Sequence, residues 1–483
     1  MSLSSTYRSL LVLATGLLGS ALFLFAFGHI NNKDPVAWSL LILNGTFAVC
    51  MLAIGLARNP LGFFSIFFYF IAFFYVIIPA IWLITDEWPY ASTYQSYPGG
   101  IFSYAQLCVF LASIGFAGSY FSTRSRPSEA VSSGIKRGAW TLRRHHFFYL
   151  LIYLSMLLAG YILFGGSVVD AAFRSETLEG AGVGELGATK QRIAGDLLGL
   201  LRRAALFSSI LLYLEYKRCG ELRGKKRAAW VLVAALGLGL NLPMSVPRGW
   251  LLAVVFVLMA LFVSNKSYRA LAFSFVMIFG LYVSSVIDIF KREYWITRDS
   301  LAFDRSYFLQ GHFQSFDTFM SQILVAGQRG FDFGLNSIGM IFMHVPRSLW
   351  SGKPLSPSLQ LASEYYYQNF NWYHNVGASS VGSFYLDFGV LGVVLFGVLL
   401  GFLSRRLDPM LATTRGGYLK CEATQIFPMG AGLTLLPFCV GGSIVFLRGS
   451  SWVGYNFFLT SIVSFLFIWV ILFRRVDGVR KHR

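Results

Sequence analysis

Pro346-Arg347-Ser348-Leu349-Trp350-Ser351-Gly352-Lys353-Pro354 lies inside a long polar stretch, residues 290 to 377, that interrupts an otherwise apolar chain. A proline before Arg347 and another after Lys353 restrict the backbone on both sides, so two cations and an indole share one short turn. Two readings fit it. It is an anion site beside a flat apolar surface, or a membrane-interface turn in which Trp350 anchors at headgroup depth while the cations meet lipid phosphate.

Composition, read outward from that turn, sets the class. Of 483 residues 55% are hydrophobic and only 13% charged, and the mean hydropathy is +0.60, which excludes a soluble globule. A run of about 20 apolar residues spans the hydrocarbon core, and about twelve such runs are present. They cover residues 8–28, 37–57, 61–84, 101–122, 146–165, 197–214, 228–242, 249–264, 270–289, 381–403, 427–447 and 453–473. The expected fold is an all-α polytopic membrane protein with one large extracytoplasmic loop containing amphipathic helices. Its expected divisions are an N-terminal scaffold (1–145), central helices (146–289), the loop (290–377) and C-terminal helices with a basic tail (378–483). The seventh and eighth runs are short and are joined through Asn241, Pro243, Ser245 and Pro247, so they read as one tilted or broken pair.

Basic loops resist translocation, and the basic residues here alternate in density from loop to loop. Six lie between runs four and five and six between runs six and seven, whereas residues 85–100 carry Asp86 and Glu87 and no cation. Both termini are therefore expected in the cytoplasm, with 290–377 outside. The net charge of +18 is then a topology signal, and no nucleic-acid partner is expected. Cys50, Cys108 and Cys439 fall in spans and Cys219 and Cys421 in cytoplasmic loops, so no disulfide is expected. The chain has no Cys/His metal spacing, Walker loop or dinucleotide fingerprint, and so no metal or cofactor is expected.

Arginine marks several outer helix ends. Arg202 and Arg203 are adjacent in the sixth run, where each costs roughly 2.5–3.5 kcal/mol near a helix centre unless it is partnered or snorkels. Arg248 opens the eighth run and Arg448 closes the eleventh. The loop adds Arg292, Arg305, Arg329, Arg347 and Lys353. Arginine's planar fork suits phosphate, and convergence of several would make a polyanion site. Nucleotides are cytoplasmic, so the polyanion expected outside is a lipid pyrophosphate.

From Leu309 the apolar residues Leu309, Phe313, Phe316, Met320 and Ile323 recur at helical spacing, which predicts an amphipathic helix lying in the membrane interface. Asp317 falls at one edge of the apolar arc, Arg305 and His312 at the other. On such a margin a carboxylate becomes either a usable base or a salt-bridged rim residue. His312, His344 and His374 are further proton acceptors or simply polar groups. Tyr365 to Tyr367 and Trp372-Tyr373-His374-Asn375 mix aromatic faces with hydrogen-bonding groups, which suits a sugar and equally an aromatic belt. Small residues from Ser379 to Gly389, a stretch that includes Tyr385, would let helices approach closely.

Over residues 245 to 455 this order of features resembles the Wzy-type O-antigen and exopolysaccharide repeat-unit polymerases. The matching parts are Arg248, the segment with Asp317, the Pro346–Pro354 turn, the Gly-rich entry from Val381 to Gly392, and Arg448-Gly449. The Pro-Arg-x-Leu-Trp-x-x-Lys-Pro turn is the most specific of them, and the first 240 residues match in hydropathy alone. The resemblance implies a membrane glycosyltransferase of the GT-C type in the bacterial cytoplasmic membrane. It would move a growing undecaprenyl-pyrophosphate-linked glycan onto an incoming lipid-linked repeat unit, with inversion and without a metal. It implies Arg248, Arg347 and Arg448 on the departing pyrophosphate, with Asp317 or a histidine as base. Arg292, Arg305, Arg329 and Lys353 form the outer set, and His312, Trp350, His374 and Tyr385 complete the substrate-binding residues. Membrane lipids and a Wzz-type chain-length regulator are the other expected partners. The alternatives are an O-antigen ligase and a lipid-linked oligosaccharide flippase.

Overall fold

The computed structural model describes residues 34–85, 88, 99–122, 139–166, 185–243, 245–263, 265–293, 313–366, 377–411, 415–421 and 425–476. In a bilayer the backbone must satisfy its own hydrogen bonds, and the apolar runs do so as helices. Helix α1 (Pro35–Arg58) starts at Asp34, whose carboxylate accepts from the Val36 and Ala37 amides, with proline at the first helical position. Helix α2 (Phe63–Thr85) contains a π-helical stretch, Ile71–Ile77, and α3 (Ile101–Ser122) follows. Next come strand β1 (Ala139–Leu142), α4 (His146–Leu163), α5 (Glu185–Arg218), α6 (Gly224–Gly239), α7 (Arg248–Phe262) and α8 (Lys266–Glu293). The polar stretch supplies α9 (Ser315–Arg329), α10 (Leu335–Ile341) and α11 (Pro357–Leu361), the last running on as a π turn, Ala362–Tyr366. The chain continues with α12 (Ser380–Leu411), α13 (Arg415–Leu419), α14 (Ile426–Leu433), α15 (Leu435–Arg448), α16 (Ser451–Leu472) and strand β2 (Phe473–Val476), antiparallel to β1.

Among the described residues eight helical segments are long and apolar enough to cross a membrane. The run 8–28 lies outside the described residues, and each of the other apolar runs falls on a helix. Helices α6 and α7 have only 16 and 15 residues, as the short pair predicted.

The chain groups into two compact units, each built from non-consecutive segments. The first draws on the described residues of Met1–Ser125, Ala302–Pro409 and Gly442–Phe457. Its core is aromatic: the Phe67 and Phe116 rings stack at 4.0 Å between α2 and α3. Buried Asn44 donates to the Gln106 carbonyl at 2.8 Å, and Gln106 donates to the carbonyl of Tyr75 in the π stretch. Helix α12 lies directly on α3, because a Cβ at Gly397 or Gly401 would meet the carbonyls of Ala112 or Phe116. The second unit draws on the described residues of Arg126–Leu301, Met410–Gly441 and Phe458–Arg483. There α5 packs against α4 and α6, with the Gly237 Cα side against the Ala205 carbonyl, and Trp469 packs edge-on to Phe427 at 4.9 Å.

Helix α9 departs from the sequence expectation. An interfacial helix would expose its polar side, but every residue from Ser315 to Gln322 is buried. Its apolar side meets the π stretch of α2 and α3, with Phe316 against Phe102 at 4.9 Å and Phe313 against Phe73 and Phe74 at 6.0 Å. Its polar side is buried too, because the surrounding protein offers hydrogen bonds there. Thr318 donates to the Gly377 carbonyl at 3.2 Å and Gln322 to the Ser379 carbonyl at 3.4 Å. Amphipathic periodicity thus marks a polar side without saying whether water or protein covers it.

Candidate functional site

In the first unit the start of α12 is the organising element. Gly382 has no room for a side chain, since a Cβ there would strike the Gln322 amide of α9. The Ser379 hydroxyl is hydrogen-bonded to Tyr75, and the Ser380 hydroxyl donates to the carbonyls of Phe446 and Gly449, the latter at 3.1 Å. Ser315 at the start of α9 reaches the Arg448 carbonyl at 3.5 Å. The beginnings of α9 and α12 therefore meet the backbone of Arg448-Gly449.

Further along, α12 breaks at Gly389, which has φ +61° and ψ −142°. Just before the break the Leu386 and Asp387 carbonyls accept the Asp332 and Phe333 amides at 2.8 and 3.0 Å. The Asp387 carboxylate accepts the Asn336 and Ser337 amides, both at 3.0 Å, and so caps α10. Trp452 holds α10 from the other side, donating from Nε1 to the Asn336 carbonyl at 3.0 Å.

The Pro346–Pro354 turn is closed by its own cations. Lys353 Nζ donates to the Met343 and Val345 carbonyls, the latter at 2.9 Å, and lies 5.8 Å from the Trp452 ring centre. Arg347 donates from Nη1 to the Lys353 carbonyl at 2.7 Å and from Nη2 to the Pro354 carbonyl at 3.2 Å. Arg347 is nonetheless exposed, and a guanidinium carries five N–H donors, so part of its fork faces outward. Trp350 is half-buried beside it.

Asp317 sits in the first turn of α9 and is fully buried. Burial pushes the Tyr365 hydroxyl up to about 12, and the Asp317 charge adds to that shift. Ser321, one turn along α9, donates to the Asp317 carbonyl at 3.1 Å and is also hydrogen-bonded to Tyr365. At the far end of α9, Arg329 pairs with Asp332 at 2.5 Å and with Glu364 at 3.3 Å. Burial raises the Glu364 carboxyl above its ordinary value, against the pull of Arg329. Tyr385 is buried, bonded through its hydroxyl to Tyr104 at 3.2 Å, and packed edge-on to Phe319 and Phe331 at 6.0 Å.

No family model matches the chain, and no curated protein or solved structure is significantly similar to it.

Of the residues singled out from sequence, Asp317, Arg329, Arg347, Trp350, Lys353, Tyr385 and Arg448 belong to the first unit. Arg248 belongs to the second, as the half-buried first residue of α7 after Pro247. Arg292 lies on the α8 backbone, and its side chain is outside the described residues, as are Arg305, His312 and His374. Sequence reasoning passed over Asp387, Gln322 and Trp452, and read Tyr365 only as part of an aromatic segment suited to a sugar or a membrane belt. The signal for Asp387 was present, since a carboxylate inside an apolar run needs a specific partner. Gln322 gave no signal and Tyr365 none of its link to Asp317, because only the fold brings them to Gly382 and Asp317.

Proposed function

We propose that the chain is an O-antigen or exopolysaccharide polymerase. In this reading it is a GT-C-type membrane glycosyltransferase with about twelve spans, both termini in the cytoplasm and the polar stretch outside a bacterial cytoplasmic membrane. It joins undecaprenyl-pyrophosphate-linked repeat units. One observation supports the reading: the segments that carry the family resemblance in the first unit, dispersed over the sequence, meet in space. Helix α9 with Asp317, the Pro346–Pro354 turn, the Gly-rich start of α12 and Arg448-Gly449 are tied through Ser315, Ser380, Gly382 and Trp452.

The chemistry follows from those groups. An acceptor sugar hydroxyl attacks C1 of the donor glycan, the C1–O bond to the pyrophosphate breaks, and the lipid pyrophosphate leaves with the bonding pair. Arg347 and Arg448 stabilise the charge that builds on the leaving group, and Arg248 is read, by the resemblance, as a pyrophosphate ligand. Asp317 is fully buried in this structure, so in this reading it takes the proton of the attacking hydroxyl once α9 opens to admit the acceptor. A flippase would keep free charges at the midplane, but Arg202 and Arg203 are engaged by carbonyls, Ser461 and Trp250. In a strain lacking the protein, a lipid core bearing a single repeat unit is the expected product. A core bearing none points instead to ligation or flipping.

A further inference from the structure

Arg202 and Arg203 are adjacent on α5 and only 8% and 6% exposed, so their charges are spent inside the protein. Arg202 donates from Nε to the Leu240 carbonyl at 3.0 Å and from Nη2 to the Ser245 carbonyl at 2.8 Å. Those two carbonyls bracket the proline-containing connection from α6 to α7. Ser245 Oγ closes the same loop by donating to the Leu242 carbonyl at 3.0 Å. Asn241 donates to the Gly237 carbonyl at 2.7 Å and to the Arg202 carbonyl at 3.2 Å, and its Oδ1 accepts Trp250 Nε1 at 2.6 Å. Arg203 lies over the Trp250 ring, 4.3 Å from its centre, and donates to Ser461 Oγ at 3.0 Å.

Arg248 falls between the two clamped points, Ser245 and Trp250. We infer that Arg202 and Arg203 are positioning residues that fix the connection and the first turn of α7, so that Arg248 presents its guanidinium in one orientation to a phosphate-bearing group. The functional half of this inference rests on the reading of Arg248 as a pyrophosphate ligand. Arginine suits position 202 because Nε and Nη2 lie in one rigid plane and hold the two carbonyls at a fixed separation, whereas an ammonium on a flexible stem imposes no such geometry. Proline at 243 and 247 stiffens the connection but removes two amides that could otherwise anchor it. The side-chain bonds replace them.

The test uses the full-length protein with its five cysteines replaced. Spin labels are placed singly through Arg248→Cys and through Val231→Cys on the exposed side of α6. In Arg202→Gln the label at 248 should gain a mobile component while the label at 231 keeps its spectrum, and Arg202→Lys should give a smaller gain. An unchanged spectrum at 248, or equal loosening at both sites, overturns the inference. If Arg202→Gln fails to insert, Arg202→Lys supplies the same comparison. In the native Arg248 background, Arg202→Gln should lower polymer formation by about 10²-fold, the scale of a misplaced binding group. In Arg248→Ala it should add nothing, and equal losses in both backgrounds would mean the pair is merely structural. Full activity of Arg248→Ala would remove the pyrophosphate reading, while the spectra would still decide whether positioning occurs.

Discussion

At Asp317 the chemistry turns on whether the carboxylate takes a proton. Asp317→Asn keeps the shape and hydrogen-bonding reach of the side chain but cannot accept the hydroxyl proton. Turnover should fall by roughly 10²–10⁴-fold, the range for a positioned base, with donor affinity near wild type. Loss of affinity as well as rate would make Asp317 a structural carboxylate. For the arginines, Arg248→Ala, Arg347→Ala and Arg448→Ala should each insert normally and each lose transition-state stabilisation of about 2.7–4 kcal/mol, by analogy with oxyanion-hole deletions. Lysine should rescue only partly, and least at Arg347, whose fork also closes its turn on the Lys353 and Pro354 carbonyls. Wild-type polymer length in all three alanine variants would reduce these residues to helix-end anchors. At this scale the sequence was legible in kind but not in partner. Lys353 reads as a cation available to a ligand, yet its ammonium is turned onto the Met343 and Val345 carbonyls and the Trp452 ring.

Among the elements, the break in α12 holds the polar stretch in register. Gly389 sits at φ +61°, where a side chain is strained by about 1–3 kcal/mol, and a Cβ there would lie 2.8 Å from the Phe331 ring. Gly389→Ala should therefore lower the inactivation temperature in detergent, and Asp387→Ala should cost about 0.5–2 kcal/mol through the lost cap on α10. Neither variant should alter insertion, and unchanged thermal inactivation in both would mean that α10 is held from elsewhere. Gly397→Leu on α12 meets the Ala112 carbonyl of α3, a backbone atom that cannot yield by rotating. Its expected outcome is loss of folded protein on size-exclusion chromatography, whereas a monodisperse peak would contradict the contact. The small residues around Ser379 to Gly389 were legible as a close approach, and Gly382 against Gln322 is such a contact. Burial of α9 was not legible, because its hydrogen-bond partners at Gly377, Ser379 and Tyr365 are distant in sequence.

For the whole molecule, the sequence reads well where hydropathy alone decides, since each apolar run within the described residues falls on a helix. It reads poorly where grouping decides, because the compact units join segments hundreds of residues apart, such as α3 with α12. Orientation is open to direct labelling in a cysteine-free background. A cysteine at exposed Ser351 should react with an impermeant maleimide added outside intact cells, and one at exposed Lys225 should not. The reverse pattern would put the polar stretch in the cytoplasm, away from the proposed donor. The most direct test of the central claim is reconstitution of the purified protein with a synthetic undecaprenyl-pyrophosphate-linked repeat unit, measuring glycan length and released undecaprenyl pyrophosphate together. Longer lipid-linked glycans, with one undecaprenyl pyrophosphate freed for each linkage formed, are the predicted result. Intact repeat units and no freed lipid pyrophosphate, from protein that is folded and correctly oriented, would contradict it.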